Sequence, residues 1–132
     1  MNKTELICRL KKMDFDKNEY WLITGGAMVL YGIKEETGDI DLGCSKRLAD
    51  ELEKQGYKTT RMSDGTRRIE VESDIEIFED WLFDKVELVE NIPVISLAGL
   101  LAMKKDLSRE KDYADIKRIE AFIREKDLKS IK

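Results

Sequence analysis

A chain of 132 residues suffices for one domain with its own core, and 42% hydrophobic against 39% charged residues describes a globular protein whose thin core is wrapped in solvated helices. The absence of histidine excludes a Ser-His-Asp triad, a Cys-His nucleophile and most zinc sites, leaving carboxylates, whose hard oxygens suit magnesium or manganese. The net charge of −4 is uneven, with ten Lys/Arg against seven Asp/Glu in residues 104–132, a basic bias too mild for non-specific nucleic-acid binding.

The first predicted element is a helix over Asn2–Lys12, with Leu6, Ile7 and Leu10 at helical spacing and Asn2 and Glu5 spaced as a capping box. Tyr20–Ile23 reads as a short strand that stops at Thr24-Gly25-Gly26, after which Ala27–Tyr31 continues as a short helix to Gly32. Gly38-Asp39-Ile40-Asp41-Leu42-Gly43 alternates acid and apolar side chains, the period-two pattern of a strand with one carboxylate face and one core face. Ser45 then caps a helix carrying Leu48, Ala49 and Leu52 and ended by Gly56.

Tyr57–Met62 and Thr66–Glu72 flank an Asp64-Gly65 turn, and Ile75–Phe78 extends them into a meander. Val86–Val89 and Val94-Ile95 surround Pro93 in a connection leading to Ser96, which caps a helix containing Leu97, Leu100, Leu101 and Met103. A last helix is predicted from near Ser108, with Tyr113, Ile116, Ile119, Ala121, Phe122 and Ile123 on a broad apolar stripe. No repeat or linker divides the chain, so a single domain over 1–132 is expected, with a sheet-containing core (1–95) and C-terminal helices (96–132). No apolar run reaches the roughly 18 residues of a membrane span, and no signal-peptide pattern opens the chain. A cytoplasmic protein with reduced, packing-type Cys8 and Cys44 is the expectation.

Two features carry chemistry. Asp39 and Asp41 lie two apart on a predicted strand, so their carboxylates share a face at about 6–7 Å along the backbone, close enough to ligate one cation or two adjacent ones. Alone, Asp-x-Asp is equally a solvated strand face. Gly25-Gly26 between strand and helix lets backbone amides approach a phosphate at a helix N-terminus, although a tight turn alone would also explain it.

Taken together, Gly25-Gly26-Ala27-Met28-Val29-Leu30-Tyr31-Gly32 and Thr37-Gly38-Asp39-Ile40-Asp41-Leu42 resemble the nucleotidyltransferase superfamily related to polymerase β. The likeness is to its compact bacterial branch of toxin-type and antibiotic-modifying enzymes, and it extends to Lys104, Arg109, Lys111-Asp112 and Asp115 near the C-terminus, covering roughly residues 20–123. The resemblance implies an α+β fold, a mixed sheet with helices packed on it and closing C-terminal helices. It implies Asp39 and Asp41 as ligands of magnesium, two ions in the family pattern with manganese as substitute, and Gly25-Gly26 as the triphosphate seat. It also implies Lys104 or Lys111 as neutralising cations.

The family needs a third acid from a neighbouring strand, and Glu76 in Ile75-Glu76-Ile77-Phe78 is the expected one, with Asp74 on the same predicted face as second choice. Relatives usually carry aspartate there; glutamate adds a methylene, and a misplacement near 1 Å costs roughly a hundredfold in rate. Asp112 and Asp115, three apart on a helix, are expected to anchor that helix to the body. The activity so implied is transfer of a nucleoside monophosphate from a nucleoside triphosphate to a hydroxyl of RNA, protein or a small molecule. The alternative is a non-catalytic binding or regulatory protein of the same fold, such as an antitoxin-like partner. A second copy of the chain is the expected means of closing the acceptor side of so small a domain.

Overall fold

The computed structural model describes residues 1–107 and 109–131, with side chains through residue 129. Helix α1 (Lys3–Met13) opens with the capping box: the Glu5 amide donates to Asn2 Oδ1 (2.9 Å) and the Asn2 amide to Glu5 Oε1 (3.2 Å). Strand β1 (Tyr20–Ile23) is buried throughout and runs directly into α2 (Thr24–Tyr31), which Gly32 ends in the left-handed region at φ 84°. Strand β2 (Ile40–Cys44) begins one residue after Asp39. In α3 (Lys46–Lys54) the Leu48 amide donates to the capping Ser45 Oγ at 3.2 Å, and Gly56 follows the cap residue Gln55 at φ 91°.

The next three strands, β3 (Lys58–Arg61), β4 (Arg67–Glu72) and β5 (Ile75–Glu79), form the expected antiparallel meander. Val86–Val89 and Ile92–Ile95, expected as a connection, are instead strands β6 and β7 of a tight hairpin turning at Glu90-Asn91, both with positive φ. Pro93 is tolerated because the donor it lacks falls near the start of β7, whose register with β1 is the single rung Leu22↔Val94. Helix α4 (Leu97–Leu107) is capped by Ser96 Oγ, which accepts from the Gly99 amide at 3.1 Å, and α5 (Asp112–Ile131) closes the chain. The expected start near Ser108 lies outside the described residues. The apolar stripe of α5 is narrower than its sequence suggests, with Ile119 buried and Tyr113 57% exposed.

The seven strands make one mixed sheet in the order β3-β4-β5-β2-β1-β7-β6. Its centre positions the site. Strand β2 runs antiparallel to β1, pairing Ile23 with Asp41, and parallel to β5, pairing Asp41 with Glu76. Alternation therefore sends Ile40, Leu42, Ile75 and Ile77 into the core, all at most 1% exposed, and places Asp41 and Glu76 together on the other face. On that second face Phe78 and Trp81 stack at 4.5 Å between centroids, and Trp21 Nε1 donates to the Trp81 carbonyl at 2.7 Å.

Beneath α3, buried Arg67 is matched by buried Glu79 (Nη2 to Oε2, 2.7 Å) and by Asp50 and Glu53 of the helix, each at 2.8 Å. This network ties α3 to β4 and β5 by charge where the apolar core runs out. Among the described residues no helix is long and apolar enough to cross a membrane.

Candidate active site

The chain passes from β1 into α2 without a side-chain cap: Ile23 holds the N-cap position, and no side chain satisfies the first amides of the helix. Those amides are therefore available to an anion. At both following positions a side chain would have to displace a neighbour. A Cβ on Gly25 would stand 2.8 Å from Thr37 Oγ1, and one on Gly26 would stand 2.8 Å from Leu22 Cδ1.

Because Ile23 pairs with Asp41, the start of α2 and the acid of β2 are neighbours, and Thr24 Oγ1 donates to Asp41 Oδ2 at 2.8 Å. Burial pushes the pKa of Asp41 up, with Asp39 adding to the rise. The Thr24 hydrogen bond and the charges of Lys104 and Arg109 oppose it without reversing the direction. Asp39 is exposed at the mouth, its carbonyl accepting from Thr37 Oγ1 at 3.1 Å.

The C-terminal helices supply the opposite wall. Lys104 of α4 is buried and its ammonium lies 3.3 Å from Asp112 Oδ1 and 3.1 Å from Asp115 Oδ2. Lys34, in the loop after α2, reaches Asp115 Oδ1 at 3.0 Å, and Arg109 Nε reaches Asp112 Oδ2 at 2.7 Å. The cleft between these walls encloses about 330 Å³ and is lined by Gly25, Asp39, Asp41, Arg109 and Lys111 among others. Carboxylate oxygens and the uncapped start of α2 line one side, and on the other Lys34, Lys104 and Arg109 are paired with Asp112 and Asp115 while Lys111 lies at the rim.

No family model and no curated protein matches the chain. Among solved structures it is similar to the lincomycin-bound lincosamide antibiotic adenylyltransferase LnuA, with a TM-score of 0.54 and 19% identity over 91% of this chain and 96% of that one. The chain has the nucleotidyltransferase fold.

On that nucleotidyltransferase fold the predicted residues divide into two groups. Gly25, Asp39, Asp41, Lys104 and Lys111 line one cleft, whereas Gly26 is buried behind it against Leu22. Lys104, expected with Lys111 as a neutralising cation, is sunk between two aspartates, and Lys111 is exposed at the rim. Asp112 and Asp115 anchor α5 as expected, through Lys104 and Lys34.

Glu76 does stand beside Asp41 in register, but its Oε2 lies 3.3 Å from Arg68 Nε, and it does not line the cleft. Among the described residues no three or more His, Cys, Asp or Glu side chains are grouped to hold a metal. Asp74 is not on the acidic face at all: it sits in the turn before β5 and forms a two-pronged ion pair with Arg9 of α1, so strand alternation does not apply to it. Sequence reasoning gave no role to Thr24 or Lys34. A threonine directly before a glycine pair was the only visible signal for the first, and none marked the second.

The ion pairs fix an acid-stability expectation. Arg109, with Lys104 adding to it, holds the Asp112 carboxyl down at about 2 against burial. A carboxyl with an unfolded pKa near about 3.9 and a lower folded value stabilises the fold fully above the first and loses that contribution as pH falls through the second. The difference in Tm between the wild type and Asp112→Asn should therefore be constant from neutral pH to about 5 and shrink between about 4 and 2, as measured by thermal melts across pH. A constant difference down to pH 2 would show that the interaction is not ionic.

Proposed function

We propose that the protein is a magnesium-dependent nucleotidyltransferase that moves a nucleoside monophosphate from a nucleoside triphosphate to a hydroxyl acceptor. The observation that carries this reading is Asp41, a desolvated carboxyl beside Asp39 and the uncapped start of α2. A carboxyl kept half-buried next to another acid costs stability unless a cation joins them. Magnesium is commonly held by one or two carboxylates together with substrate phosphates, so Asp39 and Asp41 fit it, and the α+β fold supports the reading. Manganese would serve in its place.

When bound, the metal, two ions in the full form of this chemistry, withdraws charge from the α-phosphoryl group and from the departing pyrophosphate. The chain does the rest by position. The amides at Gly25 and Gly26 seat the phosphates, and Arg109 and Lys111 face their charge from the far wall. Lys104 acts from within, its charge favouring the ionised form of Asp41. The acceptor oxygen forms a bond to the α-phosphorus as the bond to the bridging oxygen breaks, and pyrophosphate leaves. Glu76, once free of Arg68, takes the hydroxyl proton as third acid. Acceptor classes are RNA, protein and small molecules; lincomycin in the similar structure makes small molecules the first class to assay.

One observation favours a second reading, a non-catalytic binding or regulatory partner: Glu76 is engaged by Arg68, and Lys104 and Arg109 are already matched by Asp112 and Asp115. Calorimetric titration with each nucleoside triphosphate, with and without magnesium, separates the two. Magnesium-dependent binding that disappears in Asp39→Ala/Asp41→Ala is the expected result; no binding by the wild type overturns the transferase and leaves the binding partner.

A further inference from the structure

Thr24 occupies the left-handed region of the backbone at φ 52°. For a β-branched residue this is a genuine outlier, because Cβ is driven toward the neighbouring carbonyl oxygen, and glycine would occupy the position without that clash. Two glycines follow it directly, so one more would suit the turn. What threonine provides and glycine cannot is the hydroxyl, and that hydroxyl is committed: Oγ1 donates to Asp41 Oδ2 at 2.8 Å. Thr24 is also itself part of the cleft wall, between the bare start of α2 and the two acids. Backbone strain held where a side chain is spent on a functional carboxylate is the usual signature of preorganisation.

We infer that Thr24 is a positioning residue, which accepts backbone strain in order to fix the rotamer of Asp41, holding Oδ2 and leaving Oδ1 directed to incoming ligand. The inference deepens the proposed nucleotide site and rests on that reading for its functional consequence. Its structural half, the fixed carboxylate, stands without nucleotide.

Three variants separate the hydroxyl from the backbone. Thr24→Ser keeps the donor and the part of the strain that any Cβ incurs, Thr24→Ala keeps that part of the strain alone, and Thr24→Gly removes donor and strain together. Affinity for magnesium-ATP should follow the hydroxyl: unchanged in the serine variant and about tenfold weaker in both others, the scale of a hydrogen bond to a charged group. Thermal stability should follow the backbone instead, with Thr24→Gly melting above Thr24→Ala. A residue with a merely structural role would move affinity and Tm together. Independently of nucleotide, the carboxyl carbon of Asp41 should give one sharp NMR resonance in the wild type and Thr24→Ser, and a shifted or broadened one in Thr24→Ala and Thr24→Gly. Unchanged Asp41 resonances in the last two, or magnesium-ATP binding by Thr24→Gly at wild-type strength, would overturn the inference. Absence of binding by the wild type, with the NMR pattern as expected, would instead count against the nucleotide site alone.

Discussion

Asp41→Asn is expected to lower nucleotidyl transfer by about a thousandfold, equivalent to several kcal/mol of transition-state charge stabilisation, while the protein melts no lower than the wild type. The two halves of this expectation have one origin. Asp41 pays for its place in the fold, because burial and the neighbouring Asp39 both disfavour its charge and push its pKa up. An amide of the same shape still accepts the Thr24 hydrogen bond through its oxygen, yet it carries no charge to desolvate and none to repel Asp39. Stability is therefore retained or raised by a change that removes the proposed metal ligand, the trade expected where an active site is held against its own electrostatics. Transfer is read with labelled nucleotide against a panel of small-molecule acceptors, and stability by thermal melting of the nucleotide-free protein. Lower stability with full transfer would mean that Asp41 is a structural acid and the cation site lies elsewhere. If magnesium-ATP binds the variant as it binds the wild type, Asp41 is no ligand.

The contrast between Asp41 and Glu76 explains how much of the site could be read from the chain. Period-two alternation placed Asp41, Ile40 and Leu42 correctly because it is local, set by the pleat and indifferent to what lies across the sheet, and Asp39, one residue before β2, lines the same cleft. The glycine pair was legible for the same reason: the strand-to-helix turn is local, and a Cβ at either position would press on the side chain of Thr37 or Leu22. Glu76 was assigned to the right face and, as the register shows, the right rung. Its partner, however, is Arg68 on β4, and which cation a surface glutamate meets depends on strand order, which no local period encodes. Asp74 was misplaced because alternation was extended past the strand into its turn, where the side chain follows Arg9. The β6-β7 hairpin was missed because proline lowers the strand signal wherever it stands, although here its missing donor falls near a strand start.

Long-range charge pairing is also where the C-terminal segment diverges from its sequence pattern. Lys104 and Lys111 read alike as cations of the closing segment, yet Lys104, on α4, is 5% exposed and Lys111, in the turn before α5, lies at the cleft rim. The buried one is set by Asp112 and Asp115, which lie one turn apart at the start of α5 and converge on a single ammonium from the neighbouring helix. The same pair of acids gathers Arg109 and Lys34, so the loop after α2, the end of α4 and the start of α5 are joined at one charged knot. Asp115 illustrates the balance: burial pushes its carboxyl up, and Lys34 and Lys104 together outweigh it, giving a net fall.

Removal of that ammonium is the second large effect. Lys104→Met conserves most of the side-chain volume and should destabilise the protein by about 3 kcal/mol, the lower end of the range for breaking a buried ion pair from one side. The lower end applies because the orphaned acids are not wholly abandoned: Arg109 still meets Asp112, and Lys34 still meets Asp115. For a domain of this size a loss of that order lowers Tm by roughly 10 °C. Lys104→Met/Asp115→Leu should regain a large part of the loss, since the cost lies in the unpaired buried charge and an apolar pair in the same space removes it. Transfer activity should not return with stability in the double variant, because the cation that favours an ionised Asp41 is still missing. Recovery of both together would make Lys104 a purely structural cation. Recovery of neither would place its contribution in packing rather than charge.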